Sequence, residues 1–295
     1  MKEISSPINE LVINRINKKL LDERLLKGIK FKSITGEQWF RNYDNWYRIT
    51  AFANPHKTPY TELKILFDNE NELKSLLNNT LKIFYGIGMG ETETLIIKWD
   101  LENTKYSEVI AVDAIDIFIK NFVQILRNLK YSHPNSEIIF RGVNDLFENL
   151  NKDDLFFSES KFENATHISF GNTIGNFEQQ KEIFTIFQKN MKKGDQLLLG
   201  IHLNKFPEKT LSEYANNTLF KKLVLNSIKL EGELNWKYNK HDARVEAWFG
   251  DILAFQSKKY DLKKFLKFVK EFGLNPIKTF EHQEFAVVLL KKENQ

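Results

Sequence analysis

The sequence predicts an α/β fold, in which a parallel sheet carries helices on both faces and a second, smaller lobe lies beside it. From residue 81 to residue 204, short apolar runs alternate with stretches of helical periodicity, as is typical of parallel sheets. Residues 276–280 and 284–290 form two strand-like runs separated by Glu281-His282-Gln283. This spacing indicates a C-terminal antiparallel hairpin that closes one edge of the sheet.

Each element follows from its local pattern of apolar, turn and capping residues. Strands are predicted in the apolar runs that turn residues bound, at 81–85, 108–112, 137–140, 166–170, 197–203, 276–280 and 284–290. Helices are predicted where apolar residues recur with a period near 3.6, at 8–27, 61–78, 91–101, 115–129, 145–150, 177–193 and 262–272. Residues 207–242 interrupt the alternation, with helical character to about Leu230, and regular structure returns over 243–255.

Composition narrows the class of protein. The chain has 295 residues, of which 42% are hydrophobic and 28% charged, and this is typical of globular proteins. It has no cysteine, which excludes disulfides and thiolate metal sites. The net charge of +4 is modest and the lysine pairs are scattered, so nucleic-acid binding is not favoured. No apolar run is long enough to span a bilayer. We expect a cytoplasmic monomer with a small-molecule partner, no membrane partner and no metal.

The most informative segment is the strand–turn–helix–strand unit over residues 166–204. Its turn contains Gly171, Asn172, Gly175 and Asn176. Glycine allows close approach of a ligand to the backbone, and the two amides can orient a polar ligand. The turn follows the carboxyl end of a strand, where open α/β sheets bind ligands.

Three further strand ends carry turn or acidic residues. Gly86 and Gly88 follow the first strand of the alternating region, Asp113 ends the second, and Asn144-Asp145 follows the third. The glycine turn alone fits a nucleotide-type ligand or a tight turn equally well. Asp113 can accept hydrogen bonds from the ribose hydroxyls of an adenosine ligand, or cap a helix. Asp145 can reach an adenine amine, or also cap a helix. Together, the three strand ends favour an adenosine-containing ligand.

Two such ligands compete for this site. A dinucleotide would lay its pyrophosphate on the helix that follows the glycine turn. Glu91 and Glu93 lie at the start of that helix and would repel a pyrophosphate. S-adenosylmethionine has no phosphate and carries a sulfonium cation, which acidic neighbours tolerate. The charge argument therefore favours the methyl donor as cofactor.

The outline of parallel sheet and antiparallel hairpin resembles the class I, Rossmann-like fold of S-adenosylmethionine-dependent methyltransferases. Over about residues 40–250 the chain resembles the histidine-specific N-methyltransferase family of the ergothioneine pathway. The strongest pieces are Phe170-Gly-Asn-Thr-Ile-Gly-Asn176 and Gly194-Asp-Gln-Leu-Leu-Leu-Gly-Ile-His-Leu-Asn-Lys205, which look like its F-L-G-S-T-I-G-N and G-D-x-L-L-L-G-x-D-L-x-K motifs. Supporting pieces are Tyr214-Ala-Asn-Asn, Leu225-Asn226, Arg244-Val-Glu246-Ala-Trp248, and the segment from Ile49-Thr50 to Thr61-Glu62.

The resemblance implies roles for individual residues. It implies that the methyl-donor site is lined by Gly86, Gly88, Asp113 and Asp145, and we add Asn144, which lies next to Asp145 at the third strand end, to the predicted cofactor site. It implies that the Gly171 turn, Asn176 and Tyr214 hold the α-carboxylate and amine of an amino acid, and that Glu246 faces its imidazole.

Two aromatic residues complete the predicted substrate site. Tyr43 belongs to an aromatic cluster and is predicted to reach the ligand, although most of that cluster is expected to form the small lobe's core. Trp248 shares a strand face with Glu246, and this face can contact a substrate side chain or lie exposed.

The sequence therefore predicts an S-adenosylmethionine-dependent N-methyltransferase that acts on the amino group of a small amino acid or amine, with histidine as the leading candidate. The predicted lobes are a substrate lobe, 1–59 plus 206–249, and a donor-binding domain, 60–205 plus 250–295. The alternative is a methyltransferase-fold protein that binds ligand without catalysis, because Phe84 stands where the family has an acid. A nucleotide-dependent oxidoreductase is disfavoured by Glu91 and Glu93.

Overall fold

The computed structural model describes residues 8–16, 58–177, 179–228 and 230–293. The strands, numbered along the chain, are β1 (Asn9–Asn14), β2 (Leu81–Tyr85), β3 (Tyr106–Asp113), β4 (Glu137–Asn144), β5 (Ala165–Ser169), β6 (Gln196–His202), β7 (Asn235–Asn239), β8 (Arg244–Phe249), β9 (Ile252–Lys258), β10 (Leu274–His282) and β11 (Phe285–Lys292). The α-helices are α1 (Thr58–Asp68), α2 (Glu70–Leu77), α3 (Glu91–Thr104), α4 (Asp116–Ser132), α5 (Gln180–Asn190), α6 (Pro207–Ala215), α7 (Thr218–Ile228) and α8 (Leu262–Lys270).

Eight strands form one large sheet in the order β1-β4-β3-β2-β5-β6-β11-β10. Strands β1 to β6 are parallel, and β11 pairs antiparallel with both β6 and β10. The predicted α/β class and the C-terminal antiparallel hairpin are confirmed. Because the parallel strands point the same way, the residues that follow them meet at one edge of the sheet.

Helices cover both faces of the large sheet. One face packs against α1 to α4, with Leu66, Ile97 and Phe122 among the buried residues. The other face packs against α5 and α8, through residues such as Phe187 and Phe265. Strands buried on both faces read as nearly continuous apolar runs, which is why the sequence predicted them well.

The predicted helix that begins at Ile8 is wrong over residues 9–14, which form β1. This strand pairs in parallel with β4, from Asn9 opposite Ile139 to Asn14 opposite Asn144. The pattern of apolar residues fits a helix or a strand, but Val12 and Ile13 favour a strand. The free edge of β4 supplies the backbone partners of β1, so the sheet has six parallel strands and not the five that we predicted. The rest of the predicted helix, 17–27, lies outside the described residues.

A separate three-stranded antiparallel sheet, in the order β7-β8-β9, packs against α6 and α7. Its core contains Tyr214, Phe220 and Phe255. The division into two lobes stays a prediction. Two strands pair outside the lobe that we predicted for them. Strand β1, from the 1–59 segment of the predicted substrate lobe, pairs in the large sheet, and β9, from the 250–295 segment of the predicted donor-binding domain, pairs in the small sheet.

Candidate functional site

The turn after β2 is built from glycines in the left-handed region, with φ of +74° at Gly86, +50° at Gly88 and +74° at Gly90. A Cβ on Gly90 would lie 2.6 Å from the ring of Phe122, so this position needs glycine. A Cβ on Gly88 would meet no atom within 4 Å. The turn is therefore packed on one side and open beside Gly88, where a ligand can approach the backbone.

Asp113, at the end of β3, lies directly against this turn. Its Oδ2 accepts a hydrogen bond from the Gly88 N–H at 3.2 Å, and its Oδ1 accepts one from the Ile115 N–H at 2.9 Å. The side chain is 5% exposed, and burial raises the pKa of its carboxyl to about 7. The Asn144 amide donates to the Asp113 carbonyl at 2.9 Å. The predicted donor-site residues Gly86, Gly88, Asp113 and Asn144 thus meet at one edge of the sheet.

Asp145 is held by the protein on both carboxylate oxygens. Its Oδ1 accepts from the Leu146 N–H and from the Asn149 side-chain amide, both at 2.8 Å, and its Oδ2 lies 3.4 Å from an Arg15 nitrogen. These contacts tie Asp145 to the short 3₁₀-helix, Phe147–Asn149, that follows β4. A role for Asp145 toward an adenine stays a prediction.

Two further buried carboxyls lie near the donor turn. Glu93, in the first turn of α3, is buried, and burial raises the pKa of its carboxyl to about 7, with the charges of Asp113 and Glu91 adding to the effect. Burial also raises the pKa of Glu62 to about 8, an effect that the Gly171 N–H opposes and the charge of Glu93 reinforces. This cluster offers no positive charge to an anionic pyrophosphate, which would raise the pKa values of these carboxyls further, whereas a sulfonium would favour their ionised form and be attracted to it.

Glu62 joins α1 to the strand ends. The Gly171 N–H donates to both of its carboxylate oxygens, at 2.9 and 3.0 Å. A Cβ on Gly200 would lie 2.0 Å from Glu62 Oε1, so Gly200 makes room for this carboxyl. Sequence reasoning gave Glu62 no role. The available signal was an acid on the same helix face as Ile65 and Leu66, which are both buried.

The turn after β5 adjoins the donor turn. Gly171 and Asn172 have φ of +70° and +55°. The Asn172 amide does not orient a ligand as we expected, because its oxygen accepts from the His202 N–H at 3.1 Å and its nitrogen donates to Ser257 and Lys258 of β9. Asn176 lies half-buried in the same turn. A Cβ on Gly86 would lie 3.3 Å from the Thr173 methyl group, so the two turns are in contact.

Tyr214 is reached from this turn through a chain of side chains. The Asn172 amide donates to Ser257 Oγ at 3.3 Å, and the Lys259 Nζ donates to Ser257 Oγ at 2.9 Å and to the Tyr214 hydroxyl at 3.2 Å. Lys259 is 2% exposed, and burial lowers the pKa of its amine to about 7. Burial also raises the pKa of Tyr214. Sequence reasoning missed Lys259, because no local pattern separates it from the exposed lysine pairs elsewhere.

Glu246 and Trp248 contact each other on β8. The Trp248 indole N–H donates to Glu246 Oε2 at 2.9 Å, and the Asn239 amide donates to Glu246 Oε1 at 2.8 Å. Lys237 Nζ lies 3.4 Å from Glu246 Oε2 and 4.1 Å from the centre of the Trp248 ring. Glu246 is therefore a buried carboxylate with three partners. Tyr43, the remaining predicted substrate residue, lies outside the described residues.

A comparison with known families identifies the chain. The sequence profile of the family described as "Histidine-specific methyltransferase, SAM-dependent" matches residues 43–251, more than half of the chain. The chain belongs to this family. The methyltransferase is thus an enzyme with S-adenosylmethionine as its cofactor, and its sheet is that of the class I fold. The alternative of a binding protein without catalysis is set aside, as is the oxidoreductase.

Solved structures with a similar fold are distant in sequence. A possible histamine N-methyltransferase from Thermotoga maritima is 13% identical, with a TM-score of 0.43 over 87% of this chain and 97% of that one. An S-adenosylmethionine-dependent methyltransferase from Methanosarcina mazei is 14% identical, with a TM-score of 0.42 over 74% and 94%. Similarity this distant carries no information on the substrate. No curated protein matches the sequence.

The residues at the donor turn fit S-adenosylmethionine. The open space beside Gly88 adjoins the buried carboxyl of Asp113, whose oxygens accept from the N–H groups of Gly88 and Ile115 and are thereby held at the edge of that space. Across the described residues, no group of three or more His, Asp or Glu side chains is arranged to hold a metal ion. Among these same residues, no helix is long and apolar enough to cross a membrane.

Proposed function

We propose that the methyltransferase transfers a methyl group to the amino group of a small amino acid, with histidine as the leading candidate. The observation that carries the proposal is the chain from Asn172 through Ser257 and Lys259 to Tyr214. It links the turn beside the donor site to a residue that we predicted to hold the amino acid. The family description supports histidine as the substrate.

Lys259 and Ser257 fix the position of the Tyr214 hydroxyl beside the proposed niche. The Lys259 amine donates to the Tyr214 oxygen, and Ser257 is a second side-chain partner of that hydroxyl. We propose that this group of side chains contacts the α-carboxylate of the substrate. A protonated Lys259 would add attraction for that anion in a site of low polarity. Asn176 and the Gly171 turn, on the other side of this chain, are proposed to complete the niche for the zwitterionic end of the substrate.

Glu246, Trp248 and Tyr43 are proposed to contact the substrate side chain. A buried carboxylate that is already hydrogen-bonded by Asn239 and Trp248 has a fixed position. A fixed carboxylate can accept a hydrogen bond from an imidazole N–H, and an indole ring offers an apolar wall beside it. These contacts favour a substrate with a planar nitrogen-containing side chain.

The protein is proposed to contribute to catalysis by aligning the methyl donor with the acceptor amine and by excluding water from the site. When bound, S-adenosylmethionine would supply a methyl group to an uncharged amine, with cleavage of the bond between that methyl group and sulfur and release of S-adenosylhomocysteine. An ammonium must therefore lose a proton first, and desolvation favours this loss. The surroundings that lower the pKa of Lys259 to about 7 would act in the same direction on a substrate ammonium held beside Tyr214.

The lobe of residues 1–59 and 206–249 is proposed to bind the amino acid, and the rest of the chain is proposed to bind the donor.

The test compares histidine with histamine, which is histidine without its carboxylate. Purified enzyme with S-adenosylmethionine should add methyl groups to histidine, as detected by mass spectrometry, with kcat/KM at least about tenfold above that for histamine. Lys259→Met should raise the KM for histidine at least about tenfold and change that for histamine little. Lys263→Met, an exposed lysine on α8, is the matched control.

Two outcomes would contradict the proposal. Equal kcat/KM for histidine and histamine would show that no part of the site recognises the carboxylate. If enzyme that still binds S-adenosylhomocysteine methylates no free amino acid in a pooled mixture, the substrate is not a free amino acid.

A further inference from the structure

A cavity of about 290 Å³ opens at the amino ends of β2, β5 and β6. Leu81 and Ala165 begin two of these strands, and Asp195 immediately precedes the third. The donor turn lies at the carboxyl ends of the same strands, so the cavity is at the opposite edge of the sheet. It belongs to no part of the site described above.

Two buried side chains in the cavity wall have polar atoms without a partner among the described residues. These atoms are Nε2 of His167 and both the oxygen and the nitrogen of the Asn190 amide. His167 is 1% exposed and Asn190 9%. Burying such groups without a partner is costly, so native proteins rarely leave several together. The cavity is therefore built to receive hydrogen-bonding groups.

The imidazole of His167 is held in a fixed orientation. Its Nδ1 is 2.9 Å from the Tyr85 hydroxyl, and its ring stacks on Tyr85 with an angle of 20° between the planes. Its Nε2 is 3.6 Å from Asp195 Oδ2, beyond hydrogen-bonding distance. Asp195 itself is engaged, since its oxygens accept from the N–H groups of Ala165 and Lys192 at 2.8 Å.

Two lysines, Lys152 and Lys192, and two acids, Asp153 and Glu163, are exposed at the rim of the cavity, so the rim charges balance. The third acid of the lining, Asp195, is buried, and its oxygens accept from backbone N–H groups. The buried part of the lining therefore offers no lysine or arginine to an anionic ligand and suits a neutral one. Apolar side chains supply the remaining walls, among them Leu81, Ile83, Leu155 and Phe162. Small-molecule sites commonly combine such walls with a few convergent polar groups.

We propose that this cavity is a second ligand site, which binds a neutral planar nitrogen heterocycle of the nucleobase class. The Asn190 amide offers an acceptor and a donor side by side, which is the arrangement that pairs with the edge of a purine or pyrimidine. His167 Nε2 offers a third hydrogen-bonding atom, and the apolar walls suit the faces of a flat ring. The volume of about 290 Å³ holds a single base.

The experiment is calorimetric titration of adenine, and separately cytosine, into enzyme saturated with S-adenosylhomocysteine. Because the donor site is then filled, we expect at least one base to bind once per chain. Asn190→Leu removes both amide hydrogen bonds and should weaken binding at least about tenfold while leaving the affinity for S-adenosylhomocysteine unchanged. Asn128→Leu, an exposed asparagine on α4, is the matched control. Asn190→Ala repeats the test if the leucine variant fails to fold.

A crystal of the adenine complex should show the base against Asn190 and His167. Three results would each overturn the proposal: no heat from either base, binding that S-adenosylhomocysteine abolishes, or equal affinity in wild-type enzyme and a folded Asn190 variant. A crystal grown with adenine in which the cavity holds ordered water only would do the same.

Discussion

At Glu62, burial and hydrogen bonding act on the pKa of the carboxyl in opposite directions. Removal from water favours the neutral acid, whereas the Gly171 N–H favours the carboxylate. Burial dominates, and the nearby charge of Glu93 adds to it, so the pKa rises to about 8. Glu62 therefore keeps its proton in the folded protein over a pH range in which the unfolded chain has lost it.

This difference predicts how Glu62→Gln changes the pH dependence of stability. Between about pH 4.5 and pH 8 the folded state binds more protons at this site than the unfolded state, so its contribution to stability falls as pH rises. Glutamine has no such proton, and the unfolding free energy of Glu62→Gln should increase relative to wild type across this range. Urea unfolding of both proteins at pH 5, 6.5 and 8 measures this difference in unfolding free energy.

The exposed variant Glu159→Gln is the control and should show no such trend. A constant difference between wild type and Glu62→Gln across the same three pH values would show that Glu62 ionises as easily in the folded protein as in the unfolded chain.

At the scale of elements, β6 and α1 approach closely because position 200 has no side chain. A Cβ on residue 200 would lie only 2.0 Å from Glu62 Oε1 and 3.0 Å from the ring of Phe170. Close-packed interiors accommodate such an added atom only by moving backbone or side chains. The glycine in the middle of an apolar strand is thus explained by the helix that crosses it.

Gly200→Ala should therefore destabilise the protein by about 1–3 kcal/mol, as overpacked substitutions do. The cost should be smaller in a Glu62→Ala background, because the clashing carboxyl is then gone. A double-mutant cycle from urea unfolding measures this coupling. Additive effects of the two substitutions would mean that Glu62 and Gly200 do not constrain each other.

At the scale of the whole molecule, the donor site exists only when several strands are assembled. Gly88, Asp113 and Asn144 lie at the carboxyl ends of three different strands, and hydrogen bonds between them close the site. The unfolded chain has no such site, so a donor-site ligand binds the folded state alone and stabilises it.

S-adenosylhomocysteine at 100 times its Kd should thus add about 2.7 kcal/mol to the unfolding free energy and raise Tm. NAD⁺ at the same concentration should leave Tm unchanged, because the buried carboxyls near the turn offer its pyrophosphate no positive charge. Asp113→Ala should reduce the shift with S-adenosylhomocysteine. Thermal unfolding measured by circular dichroism tests all three, and an equal Tm shift with NAD⁺ would contradict the electrostatic argument.

The parallel sheet, the closing hairpin and the glycine turn could be predicted from the sequence, because each of these features has a local signature. Apolar runs of strand length, turn glycines and an acid at a strand end predict local structure without knowledge of distant contacts. Strand β1 was the exception, since its short apolar run fits two periodicities and the free edge of β4 decided between them.

Which polar groups become buried, and what they contact, could not be predicted from local sequence and depends on the folded chain. Glu62 lies 109 residues from Gly171, Asn172 lies 85 from Ser257, and Lys259 lies 45 from Tyr214. The unpartnered atoms of His167 and Asn190 likewise line one cavity from different elements. A carboxyl, amine or amide acquires its pKa and its partners from its surroundings, and the chain brings those surroundings together only when it folds.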